Sequence, residues 1–221
     1  MPPPPRITKA AVTAKVTPFV ANLNRARDLY RKIVLHGYTH TAPANTVRLD
    51  QPDKRDVAQF IFFEVAAKFE DFAKAMFQAE TRAKLSVTAA RSVYVMGDPD
   101  NGLDSKMGWG SPQRLKERGE NLFGKNSFFG DLETNISPAT YKALVSAHVV
   151  RNRVAHAGGN AQAKFVKHLD GEGIAAAERQ GMSVGRYLCD YPRAAPPANR
   201  HFYRFLAAYE GFATQAAAAL P

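Results

Sequence analysis

The 221-residue chain is long enough for one domain with a full hydrophobic core, and its 45% hydrophobic and 23% charged residues are ordinary for a globular protein. Thirty Lys and Arg against twenty Asp and Glu leave a net charge of +10, which favours a polyanionic partner because neutralising phosphates releases their condensed counterions. No apolar run reaches the roughly 18 to 20 residues that span a bilayer, and Met1-Pro2-Pro3-Pro4-Pro5-Arg6 lacks the apolar core of a signal peptide, so a cytoplasmic protein without a membrane partner is expected.

Residues 1–17 are Pro-rich, then rich in Thr, Ala, Lys and Val, and read as an N-terminal arm or a short strand. Residues 18–36 read as a helix. Pro18 suits a first turn, Leu23, Ala26, Leu29, Tyr30, Ile33 and Val34 recur at the helical period, and Gly37 is placed to end it. Residues 38–54, with Pro43, Asn45, Pro52 and Asp53, read as a loop. The strongest helix spans about 55–84. Ile61, Val65, Phe69, Phe72 and Met76 step by 4, 4, 3 and 4 onto one stripe, and Phe62, Ala66, Ala73 and Phe77 widen it. Glu64, Lys68 and Asp71 fall along the opposite edge, with Glu70 and Lys74 on the far face. So broad an apolar face marks a central helix, one able to pack across a dimer as well.

Residues 85–96 suit either a helix or an extended segment. Over about 97–135 glycines and turn residues multiply, and this loop-rich stretch reads as an insertion lying over the helices, with a short basic helix near 112–121. Ser137 and Pro138 are an N-cap and a first residue for the next helix, which Gly158-Gly159 is placed to end. Residues 160–197 are mixed: 174–180 suits a helix, 184–189 is ambiguous, and 192–197 is turn-rich. A last helix over about 199–220 carries Phe202, Phe205, Leu206, Tyr209 and Phe212 on one face. The expected organisation is an arm over 1–17 and a single helical domain over 18–221 with its insertion at about 97–135.

Chemistry concentrates in Arg151-Asn152-Arg153-Val154-Ala155-His156. Asn152 and His156 are four residues apart, so they share a helix face. Arg151 is displaced around the helix, but its long side chain reaches the same pocket. His156 falls in the final turn, where free carbonyls carry partial negative charge and favour the imidazolium. A histidine titrating near neutrality suits general acid or base work. RNA cleavage needs a base for the 2′-hydroxyl, positive charge on the phosphorane and an acid for the 5′ leaving oxygen. His156 and Arg151 supply proton transfer and charge stabilisation without a metal. A second set from a partner across a two-fold axis completes the acid–base pair. Asn152 orients the histidine or holds a phosphate oxygen, and Arg153 adds electrostatic grip.

The run RNRVAH resembles the R-x(4–6)-H signature of HEPN domains, in the variant with a polar residue directly after the arginine. Ala157-Gly158-Gly159 is similar to the usual continuation. The segment FFEVAAKFEDFAKAMF resembles the first core helix of that family, including an acidic residue near Glu70. The resemblance covers 55–84, 137–160 and 199–219. It implies an all-α fold of four to five core helices in a bundle, a homodimer with a composite active site, and catalytic Arg151 and His156 supported by Asn152. It also implies a metal-independent endoribonuclease that leaves a cyclic phosphate, acting as a toxin or antiviral effector with an antitoxin or defence-system partner. The alternative within the family is a non-catalytic module that binds RNA, a nucleotide or a protein. An unrelated all-α domain with a coincidental motif is the third reading.

Arg114, Lys116 and Arg118, with Lys125 near Trp109 and Phe123, form a candidate RNA-gripping surface, against the plainer reading of a solvated charged face. No metal site is expected. His148 and His156 share a stripe, but no carboxylate on that helix completes a ligand set, and His148 reads as a packing residue. Gly37 separates His36 from His40. Residues 98–104 have the flavour of a calcium loop but Trp109 stands where the closing glutamate belongs. The lone Cys189 excludes an intrachain disulfide and zinc sites built on paired cysteines. With no GxxxxGK[ST] loop either, no cofactor is expected.

Overall fold

The computed structural model describes residues 7–36, 39–41, 46–97 and 108–220, with 39–41 and 46–48 described as backbone only. The Pro-rich start, Gly37, positions 38 and 42–45 of the expected loop and the candidate calcium turn at 98–104 lie outside the described residues. The fold is all-α. Helices α1 (Lys9–Tyr30), α2 (Gln51–Leu85), α3 (Ala89–Val95), α4 (Pro112–Phe123) and α5 (Leu132–Asn135) come first. Then follow α6 (Pro138–Ala155), α7 (Gly159–Gly171), α8 (Ala176–Arg179), α9 (Val184–Asp190) and α10 (His201–Ala219). A π-helical turn, Arg31–Leu35, extends α1. One antiparallel ribbon of three-residue strands, β1 (Thr39–Thr41) and β2 (Thr46–Arg48), pairs Thr39 with Arg48 and Thr41 with Thr46. Among the described residues no helix is long and apolar enough to cross a membrane.

The chain forms two compact units, one from Met1–Ala21, Ala67–Val145 and Ala208–Pro221, the other from Asn22–Ala66 and Ser146–Ala207. Each boundary falls inside a helix: α1, α2, α6 or α10.

In the first unit helix α1 begins at Lys9, inside the expected arm, because Thr8 caps it: its hydroxyl accepts from the Ala11 amide at 3.3 Å. Pro18 therefore sits within the helix rather than in its first turn. Lys9 Nζ donates to the carbonyls of Ala218 and Leu220 at 2.9 and 3.0 Å, neutralising the C-terminal end of α10. The stripe on α2 is buried as the period predicts, with Phe69, Phe72, Met76 and Phe77 all inside. Phe72 stacks on Phe19 at 4.3 Å and Phe69 on Tyr209 at 4.4 Å. Each such ring contributes on the order of 1.5–3 kcal/mol by burial.

Residues 108–136 are not a cover over the helices. Trp109, Leu115, Phe128, Phe129 and Leu132 are buried, and Phe77 meets the rings of Trp109 at 5.5 Å and Phe129 at 4.8 Å. The Glu80 carboxylate anchors this segment by accepting from the backbone amides of Phe128 at 2.7 Å and Phe129 at 3.0 Å. Burial pushes the Glu80 carboxyl up, against the lowering effect of those two N–H bonds. Glu70, placed by the period on the far face, is half-buried, and a β-carbon on Gly110 would come within 2.7 Å of its Oε1.

In the second unit Tyr30 stacks on Phe202 at 3.9 Å and Phe62 packs on Phe205 at 5.6 Å. The mixed stretch 160–197 supplies much of this core through Phe165, Leu169, Val184, Tyr187 and Leu188. Tyr187 stacks on His201 at 4.1 Å and its hydroxyl meets His168 Nε2 at 2.9 Å. Arg204 Nη1 lies 3.2 Å from His201 Nδ1, and a guanidinium only donates, so Nδ1 is the acceptor and the imidazole is neutral. Burial holds His201 down to about 3 from 6.5, and the positive charges of Arg204 and His168 add to this.

Two stability predictions follow from these contacts. Glu80→Ala leaves two buried amides without an acceptor and should cost about 1–3 kcal/mol for each, read as a urea-denaturation shift. Glu80→Gln, which keeps one acceptor oxygen, should cost roughly half as much. For His201, the unfolded chain takes up a proton near pH 6.5 that the folded chain refuses until about pH 3. Its contribution is therefore complete above pH 6.5 and shrinks as pH falls between those values, by at most about 1.4 kcal/mol per unit. His201→Phe keeps the ring stack, so its stability relative to wild type should improve by about 2 kcal/mol from about pH 7 to pH 5. A pH-independent difference would contradict the assignment.

Candidate functional site

Helix α6 is started where the sequence indicates. The Ser137 hydroxyl accepts from the Thr140 amide at 3.3 Å, and Pro138 is its first residue. Ala147 and Val150 are buried in the second unit, which leaves His148, Arg151 and Asn152 half-buried on the rest of the surface. The last helical residue is Ala155. His156 follows it, its amide still bonded to the Asn152 carbonyl at 3.0 Å, and its side chain is exposed.

Three of the polar side chains form one connected set. Arg151 Nη1 donates to Asn152 Oδ1 at 3.3 Å, and Asn152 Nδ2 lies 2.9 Å from His148 Nε2. With the amide nitrogen donating, His148 Nε2 is the acceptor and its ring proton sits on Nδ1. The Arg151 guanidinium also lies over the Phe63 ring of α2, 5.8 Å from its centroid. Asn152 thus pairs with the residue four before it, not with His156 four after it. The direction has a cause: the Cα–Cβ bonds of a helix tilt towards its N-terminus, so a short side chain meets residue i−4 more readily than i+4. His148 and Phe63 are therefore part of the site. His148 shares the stripe of Asn152 and His156 in the sequence, whereas nothing in the pattern links Phe63 to Arg151.

Arg153 is turned to local work, with Nη1 donating to the His156 carbonyl at 3.3 Å. That bond ties the carbonyl of the residue just beyond α6 back to the last turn of the helix. Arg114, Lys116 and Arg118 lie on α4, in the first unit. Lys116 is paired with Glu133 at 2.9 Å and lies 5.7 Å from the Tyr141 ring centroid. Arg118 lies over the rings of Trp109 at 5.6 Å and Phe77 at 5.9 Å. Both side chains brace the first unit, and Arg114 is exposed. Cys189 is buried, and burial pushes its thiol up to about 11, so no reactive thiolate arises there. Among the described residues no group of three or more His, Cys, Asp or Glu is placed to hold a metal ion.

No protein-family model, curated protein or solved structure matches the chain.

Gly158 plays a different part from the one its spacing suggests. It has φ −67° and ψ 155°, and it is the N-cap of α7 rather than a left-handed stop for α6. A β-carbon there meets nothing within 4 Å. Gly158→Ser should leave the thermal midpoint unchanged or raise stability by a few tenths of a kcal/mol. A left-handed glycine at this position would instead make the substitution cost about 1–2 kcal/mol.

Proposed function

We propose that the chain is a metal-independent endoribonuclease of the HEPN type that works as a homodimer on RNA. The observation that carries this reading is the hydrogen-bonded set His148–Asn152–Arg151, one turn before the exposed His156 at the end of the same helix. In the proposed reaction His156 takes the proton of the 2′-hydroxyl, and the 2′-oxygen attacks the adjacent phosphorus. The P–O5′ bond breaks as a second protonated histidine delivers its proton to the leaving oxygen, leaving a 2′,3′-cyclic phosphate and a 5′-hydroxyl. Arg151 stabilises the doubly charged phosphorane, with the Phe63 ring and Asn152 holding its guanidinium in place. Arg153 positions His156 through the carbonyl bond.

The second histidine comes from a second copy. Phe60 is 68% exposed on α2, one turn before Phe63, and an exposed ring on that face gives a partner apolar surface to cover. The pairing of Asn152 with His148 instead of His156 favours one alternative, a non-catalytic module that grips RNA phosphates through Arg151.

Purified protein in EDTA should cleave single-stranded RNA and run as a dimer. His156→Ala and Arg151→Ala should each slow cleavage by about 10²- to 10⁴-fold while leaving the thermal midpoint in place. Phe60→Glu should shift the species in sedimentation towards monomer and reduce cleavage with it. Equal RNA loss in all variants would overturn the assignment, and a wild-type chain that binds RNA but leaves it intact would favour the binding module.

A further inference from the structure

A cavity of about 500 Å³ in the second unit is lined by Gln51, Arg55, Arg186, Asp190, Arg193 and Arg200. Its size falls within the roughly 300–1,000 Å³ range of small-ligand sites, but its wall is made of guanidinium groups rather than apolar side chains. The chain assembles it from four places. Gln51 and Arg55 are one turn apart at the start of α2, Arg186 and Asp190 are one turn apart on α9, Arg193 follows α9, and Arg200 precedes α10. Gly185 makes the assembly possible: a β-carbon there would clash with the Arg55 carbonyl, so only glycine lets α9 approach the start of α2.

Charge is not balanced in this cavity. Arg55 Nη2 pairs with Asp190 Oδ2 at 2.6 Å, and Arg193 Nη2 pairs with Glu178 Oε1 at 2.7 Å. Arg200 Nη1 donates to the Cys189 carbonyl at 2.6 Å, which holds its direction without neutralising it. Arg186 forms no ion pair among the described residues. Two guanidinium charges therefore stand uncompensated, at the N-terminal end of a 35-residue helix that adds its own partial positive charge. The Asp190 carboxylate also lines the cavity, with its charge offset by its pairing with Arg55. Planar guanidinium forks match the oxygens of phosphate bidentately, and several in one cavity suit several phosphates.

The geometry points to this cavity as a binding site for a run of neighbouring phosphates, supplied by a free polyphosphate chain or by the backbone of an RNA strand. This site stands apart from the proposed ribonuclease chemistry, because none of its six lining residues belongs to the Arg151–His156 set.

Binding is read by calorimetry on the full chain carrying His156→Ala, in about 0.15 M salt, with inorganic tripolyphosphate as the probe. One saturable site per chain is expected. Arg186→Ala combined with Arg193→Ala should weaken it by about tenfold or more, the size of losing charge-assisted hydrogen bonds. Gln51→Glu should weaken it as well by adding a negative charge to the rim. That variant keeps a good fold check, because a carboxylate in a first helical turn favours the helix. Competition by a short 5′-hydroxyl RNA would assign the phosphates to a strand; tripolyphosphate binding without such competition would assign them to a free chain. Failure of tripolyphosphate and RNA alike to saturate, equal affinity in all variants, or oligoglutamate binding as tight as tripolyphosphate would overturn the proposal. Binding without RNA cleavage in the wild-type chain would remove the ribonuclease reading and leave this one standing.

Discussion

A 35-residue helix whose one side is lined with phenylalanines cannot stand in water, and each unit buries its own part of α2. Phe62 and Val65 build the second unit; Phe69, Phe72, Met76 and Phe77 build the first. The burial of so many rings exceeds by far what any polar contact contributes, so the polar contacts act as selectors of geometry. Glu80 is the clearest case. It lies on α2 beyond the apolar stripe and holds two amides of the 128–129 segment, which fixes how Phe129 meets Phe77. His201 does similar service in the second unit, neutral and stacked on Tyr187.

The same logic reaches the candidate site through α6. Buried Ala147 and Val150 fix which way the helix faces, and that decides which polar residues remain accessible. The tilt of helical side chains then decides who pairs with whom. Asn152 leans back to His148, Arg151 is shared between Asn152 and the Phe63 ring, and His156 is left beyond the helix end with Arg153 holding its carbonyl. In the proposed reaction these two contacts hold the Arg151 guanidinium ready for a phosphate. In the same proposed reaction the exposed His156 carries the proton.

The long helices were legible because their apolar residues repeat at the helical period over many turns: the Phe202–Phe212 face of α10 is buried, and so is the α2 stripe from Val65 to Met76, with Ile61 half-buried. Residues 108–136 were not legible, since glycines and short aromatic pairs such as Phe128-Phe129 carry no period, and only long-range packing shows them to be core. Helix α7 was hidden by Gly158-Gly159, whose glycines read as a stop for α6 although Gly158 begins the next helix. The start of α1 at Lys9 depends on a threonine cap and on a lysine that reaches carbonyls more than two hundred residues away. At the site, the motif and the shared stripe of His148, Asn152 and His156 were visible. The choice of His148 over His156 was not, because spacing is symmetric and side-chain tilt is not. The arginine cavity joins residues 51–55 to residues 186–200, far apart in the chain, and no local pattern announces that pairing.

In the proposed reaction a 2′-oxygen of RNA is the nucleophile, and Arg151 and His156 serve it. The most direct measurement compares two RNAs of one sequence, one unmodified and one with 2′-O-methyl groups throughout, incubated with the purified chain in EDTA, with the product ends read by mass spectrometry. The account predicts fragments ending in 2′,3′-cyclic phosphate from the first RNA and an intact second RNA. Cleavage of both at similar rates, or fragments bearing 5′-phosphates, would contradict it.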